Sequence, residues 1–235
     1  EQKKLLQQAS DSAALLKTVV PDSLIAIEKQ KQAEDQLGSF GSFTSGEESF
    51  NTIENNLVKI TFSNKGGRIY SVELKKYKTW DQRPLVLFDG PDTRFSINFF
   101  SQNRNIQTEK LFFTTDAPLS QVVSGPEVKV GEIADEKFNA GNPGGSDSVT
   151  YKLAINQGSY IEYVYTLKYN SYMVDFNVKT EGMESYIAGN QQYLNLNWAF
   201  AMPRQEKKSQ YGEDRYTNIY YKFFEDDFTD DGFSY

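Results

Sequence analysis

The chain has 235 residues, a formal net charge of −7, and neither histidine nor cysteine. Those absences exclude Ser-His-Asp and Cys-His nucleophilic arrangements and every thiolate or imidazole metal site. The acidic balance, with no long unbroken run of Lys or Arg, argues against a nucleic-acid partner. Its aromatic residues are 17 Phe and 15 Tyr against 2 Trp, a bias suited to pleated sheets, and the length fits one main β-rich domain.

Leu5, Ala9, Ala13, Leu16 and Val20 recur at three- and four-residue spacing across residues 1–20, which predicts an amphipathic helix. Pro21 ends that pattern, and Pro21 or Asp22 is placed to begin a second, more polar helix. "LGSFGSFTSGEESF" at 37–50 has the composition of a flexible linker. No stretch approaches the ~18 apolar residues of a bilayer span. Residue 1 is Glu, so a signal peptide or membrane anchor upstream is expected to have been removed.

From about Thr52 the period becomes two: Val58, Ile60 and Phe62 face one way, Lys59, Thr61 and Ser63 the other. Beyond "NKGGR" at 64–68, Tyr70, Val72 and Leu74 alternate with Ser71, Glu73 and Lys75, giving two half-buried strands joined by a tight turn. Further strands are expected in "LVLFDG" (85–90), "RFSINFF" (94–100), "EKLFFTT" (109–115), "QYLNLNWAF" (192–200) and "TNIYYKFF" (217–224). "ADEKFNAGNPGGSDS" at 134–148 reads as an exposed loop. The clearest hairpin has Ile161, Tyr163, Tyr165, Leu167 and Tyr169 on one face, a turn at Asn170 and Ser171, and a return through Tyr172, Val174, Phe176 and Val178.

Several segments invite a chemical reading. "NKGGR" lacks the spacing of phosphate loops and leads into a strand where they need a helix, so Gly66 and Gly67 are expected to supply positive φ in a turn, with Lys65 and Arg68 solvated at its tip. The alternating Tyr-rich strand is expected to be sandwich core rather than a sugar-stacking platform. At the C-terminal end, "DDFTDDG" sets Asp227, Thr229, Asp231 and Gly232 at calcium-loop positions but lacks the closing Glu, which favours a solvated acidic tail. Glu213 with Asp214, and Glu225 with Asp226, are adjacent pairs that point to opposite faces of a strand and make no convergent glycosidase site. The acidic balance also disfavours a general attraction to anionic lipid, with a local basic patch around Lys75, Lys76 and Lys78 left open.

Three stretches together carry a family resemblance: "NNLVKITFSNKGGRIYSVELKKYKTW" (55–80), "PLVLFDG" (84–90) and "YTLKYNSYMVDFNVKTEG" (165–182). Their order over residues 52–225 resembles the large periplasmic domain of bacterial YidC-type (YidC/Oxa/Alb) membrane protein insertases, particularly those of the Bacteroidetes. The resemblance implies an all-β fold, a β-supersandwich similar to galactose mutarotase, with an N-terminal helical extension. It implies residues 1–51 as a helical segment and linker following a membrane anchor, and 52–235 as a periplasmic sandwich cut short before its last strands. Its implied role is non-catalytic: an interaction and scaffold module at the periplasmic face of the inner membrane, aiding insertion and folding of membrane proteins. The implied partners are SecDF, SecYEG and nascent membrane proteins.

No catalytic, cofactor-binding, metal-binding or partner-contact residue is carried over. The acid/base chemistry of mutarotases needs a histidine, which this chain lacks. Two other readings stay open. A carbohydrate-binding sandwich predicts Trp80 or Trp198 beside several Tyr on an open surface, and a peptide-holding chaperone predicts an apolar cleft between the sheets.

Overall fold

The computed structural model describes residues 22–125, 144–189 and 194–207. A polar helix α1 (Asp22–Leu37) leads into a 3₁₀ segment (Gly38–Thr44). Eleven strands follow: β1 (Phe50–Glu54), β2 (Val58–Ser63), β3 (Arg68–Lys78), β4 (Pro84–Asp89), β5 (Arg94–Ser101), β6 (Arg104–Gln107), β7 (Ser120–Val122), β8 (Ser146–Asn156), β9 (Ser159–Lys168), β10 (Val174–Glu181) and β11 (Asn195–Ala199). They form a five-stranded sheet ordered β4-β3-β2-β1-β7 and two three-stranded sheets, β10-β9-β8 and β11-β5-β6. Pairing is antiparallel except between β1 and β7. The chain is thus an all-β sandwich with a helical extension.

Strict alternation places the core. Ile161, Tyr163, Tyr165 and Leu167 on β9, with Tyr169 just after it, are all buried, as are Val58, Ile60 and Phe62 on β2. The two sets meet face to face: the Phe62 ring lies 4.9 Å from Tyr165 and 6.2 Å from Tyr151. Each such large side chain taken out of water contributes about 1.5–3 kcal/mol. A phenol adds a polar atom that must be satisfied in the interior. Tyr151 donates to Asn51 Oδ1 at 3.2 Å, Tyr163 to Thr108 Oγ1 at 3.0 Å, and Tyr165 to the Gly67 carbonyl at 2.7 Å. Burial pushes the proton affinity of all three phenols up, so they stay neutral donors.

A second link ties the first hairpin to the last. Asn55 donates to the carbonyls of Lys168 and Ser171 at 2.8 and 2.7 Å, while its Oδ1 accepts the N–H groups of Leu57 and Val58. Beside it Asn56 and Asn170 exchange reciprocal hydrogen bonds of 2.8 and 3.0 Å. Asn170 has φ +55°, a left-handed conformation that Asn tolerates better than most residues.

Four local expectations are corrected. Residues 38–49 do not behave as a flexible linker: Phe40 is fully buried, its ring 5.3 Å from Phe99. The Phe43 carbonyl accepts the N–H of Phe112 at 2.7 Å, and a Cβ on Gly46 would sit 2.6 Å from the Phe112 ring. Small residues here permit close approach rather than motion. Residues 109–115 are not a regular strand: a 3₁₀ turn (Thr108–Lys110) is followed by isolated bridges Lys65↔Phe112 and Thr114↔Lys152. In β3 a bulge opposite Thr61/Phe62 pairs Phe62 with Ile69. Parity changes there, so Ile69 rather than Tyr70 joins Val72 and Leu74 against the core. The β9–β10 connection spans residues 169–173 rather than a two-residue turn, leaving Tyr172 outside β10 and 43% exposed.

Ser146–Ser148, assigned to a loop by composition, begins β8. The expected first helix at 1–20, residues 134–143 and the strand at 217–224 lie outside the described residues.

Candidate functional site

The Gly66–Gly67 turn is built as its sequence demands. Both glycines have positive φ, +80° and +57°, and a Cβ on Gly67 would lie 3.1 Å from the Tyr163 ring and 3.2 Å from Phe113. Only glycine combines that backbone with that proximity. The Gly66 N–H donates to the Leu111 carbonyl at 2.8 Å. Asn64 fixes the neighbouring segment: its Oδ1 accepts the Ser49 N–H at 2.8 Å and its Nδ2 donates to the Glu47 carbonyl at 3.0 Å.

Arg68 departs from expectation. Lys65 is exposed at the tip, but Arg68 is only 9% exposed. Its Nη1 donates to the Thr93 carbonyl at 2.5 Å and, more weakly, to that of Gly90 at 3.4 Å. Its guanidinium lies 5.2 Å from the centroid of the Tyr70 ring, a cation–π arrangement. Burial works against the Arg68 charge, while Glu48, Tyr70 and Glu109 favour it. The cause is long-range: residues 90–93 cross the end of the hairpin, and nothing within "NKGGR" announces them.

These elements enclose a cleft of about 600 Å³. Its walls carry the cations Lys65, Arg68, Arg94 and Lys110, the carboxylates Glu48 and Glu109, and the rings of Tyr70 and Phe112. Glu48 is positioned by the Ser63 hydroxyl, which donates to it at 2.6 Å. Thr93, also in the wall, keeps a buried hydroxyl with no hydrogen-bond partner among the described residues, a cost of about 1–3 kcal/mol. The cleft is polar and two-signed, unlike the apolar groove that a peptide-holding chaperone predicts.

The other nominated positions lie elsewhere. Trp80 and Trp198 are 53% and 52% exposed, so the openness required of a carbohydrate platform is present. Among the described residues no tyrosine ring packs on either tryptophan: the ring neighbours of Trp198 are Phe95 and Phe200, at 6.2 and 5.4 Å. Asp227, Thr229, Asp231 and Gly232, and the pairs Glu213/Asp214 and Glu225/Asp226, lie outside the described residues. Among the described residues no group of three or more Asp or Glu side chains is arranged to hold a metal ion, and no helix is long and apolar enough to cross a membrane.

Fold and cleft together define a β-sandwich domain with a charged recess at one hairpin end. The family described as YidC periplasmic domain matches residues 51–234, and the chain belongs to that family, which places it on the periplasmic side of the inner membrane. It is similar to the membrane protein insertase YidC of Bacteroides fragilis, with 35% identity over 220 residues, covering 94% of this chain and 31% of that protein. The YidC insertase of Parabacteroides distasonis is 31% identical over 226 residues, with the same coverage of each chain. That of Cytophaga hutchinsonii is 27% identical over 231 residues, covering 98% of this chain and 32% of the relative. The chain therefore spans roughly a third of the length of these curated relatives. The resemblance read from residues 55–80, 84–90 and 165–182 points to the same family.

Proposed function

We propose that the domain is a non-catalytic interaction and scaffold module of a membrane protein insertase. It aids insertion and folding of inner-membrane proteins beside the Sec translocon components SecDF and SecYEG. The observation that carries this reading is the run of apolar side chains left open along and after β11. Leu196, Trp198, Phe200 and Met202 are 50%, 52%, 38% and 59% exposed. A cluster of exposed aromatic and Met side chains has the composition of a protein-binding surface, since these residue types are enriched where partners meet.

Photo-crosslinking tests it in the full-length protein. A crosslinking amino acid at position 198 is expected to give adducts with Sec components or nascent membrane proteins, while one at exposed Lys179 on β10 is not. Adducts with neither partner at position 198, together with unimpaired insertion after Trp198→Ala and Leu196→Ala, overturn the reading.

A further inference from the structure

The cleft at the Gly66–Gly67 turn is lined by none of Leu196, Trp198, Phe200 and Met202, although Arg94 in its wall pairs with Ala199 of β11, and its charge is unusual for this chain. Four cations and two carboxylates line it, in a protein whose formal net charge is −7. None of Lys65, Arg68, Arg94 and Lys110 forms an ion pair with a described carboxylate, whereas Lys75, Arg83, Lys152 and Lys168 each do. Arg68 commits only Nη1 to hydrogen bonds among the described residues. That bond and the Tyr70 ring hold the guanidinium in place while its Nε and Nη2 stay uncommitted. A fixed guanidinium edge is the group that grips a planar oxyanion with two parallel bonds. The Thr93 hydroxyl in the same wall is buried and without a partner among the described residues. Glu48 and Glu109 limit the excess of positive charge, which suits a singly charged carboxylate better than a multiply charged phosphate. Tyr70 and Phe112 add a flat apolar surface beside it.

We propose that this cleft is a binding site for a carboxylate carried next to an aromatic or apolar group, gripped by Arg68 and flanked by Arg94. The proposal gives the interaction module a second recognition site and rests on that reading only for its biological meaning. Binding at the cleft is measured on the isolated chain, and its outcome is independent of crosslinking at position 198.

The test is NMR titration of the 235-residue chain with four probes: N-acetylphenylalanine, its carboxamide, the blocked dipeptide N-acetyl-Phe-Glu-amide, and inorganic phosphate. The two carboxylates are expected to shift the amide signals of Gly66, Gly67 and Lys110 saturably, and the carboxamide is not. Arg68→Gln is expected to weaken binding about tenfold or more, and the exposed Arg94→Ala about threefold, the losses anticipated for a charged hydrogen-bonding partner and a flanking charge. Tighter binding of the blocked dipeptide assigns the side chain of a polypeptide; tighter binding of N-acetylphenylalanine assigns a free acid or chain terminus. Equal binding of the carboxamide, equal binding of phosphate, or unchanged affinity in the variants overturns the proposal. If Arg68→Gln does not fold, Arg94→Ala decides.

Discussion

The phenol of Tyr165 donates a 2.7 Å hydrogen bond to the carbonyl of Gly67, 98 residues earlier in the chain. Strand β9 thereby holds the β2–β3 turn in place. Tyr165→Phe keeps the ring on Phe62 and Phe176 but strips that carbonyl of its partner. It is expected to lower the unfolding free energy by about 1–2 kcal/mol. The signature in urea is a lower midpoint with an unchanged slope, and an unshifted midpoint rules the bond out as a contributor.

Alkaline pH attacks the same region. Burial raises the proton affinity of Tyr151, Tyr163 and Tyr165, and for Tyr165 the neighbouring Tyr163 and Tyr151 add to it. The folded state prefers the neutral phenol, so the contribution to stability is complete below the unfolded value of about 10. It is lost as pH rises from there through the raised folded values. Phenolate absorbance is expected to rise in two phases, the exposed tyrosines first and the buried ones together with loss of circular dichroism. A single reversible phase near pH 10, with the fold intact, contradicts burial of these phenols.

Gly67→Ala combines a left-handed backbone with a Cβ 3.1 Å from the Tyr163 ring. Strain and overpacking together are expected to cost about 2–4 kcal/mol. Gly189→Ala is the matched control: nothing lies within 4 Å of its Cβ, and its melting temperature is expected to stay close to that of the parent.

Phe40→Ala separates a docked segment from a tether. Phe40 is fully buried in the shared core, so truncation is expected to cost about 3–5 kcal/mol. A chemical-denaturation midpoint equal to the parent's contradicts docking of residues 38–49.

Legibility followed the range of the forces involved. β9 was readable because alternation is a local consequence of the pleat, and the four predicted core residues on it, with Tyr169 just beyond, are all buried. The turn at Gly66 and Gly67 was readable because positive φ has few residue types to serve it. Arg68 was not, because residues 90–93, which bury it, approach from a distant part of the chain. Tyr70 was misplaced for a subtler reason: one bulge residue reverses parity, and the sequence on either side alternates without a visible interruption. At 38–49 composition misled, since Gly and Ser serve close packing as readily as flexibility, and only Phe112 and Phe99 distinguish the two. The charged cleft drew on four separate segments, so no single motif marked it.

The asparagine clasp between the first and last hairpins sets the order in which this domain can be completed. Asn55 and Asn56 wait for Lys168 and Asn170, 113 and 114 residues downstream. During export β1 and β2 therefore reach the periplasm long before the strands that cover Ile53, Ile60 and Phe62. Contacts of such long separation slow folding, because a large loop must close before any of them forms. The shared core is therefore complete only once β8 and β9 have been delivered. Until then its own apolar strands need the same protection from aggregation as those of any unfolded exported chain.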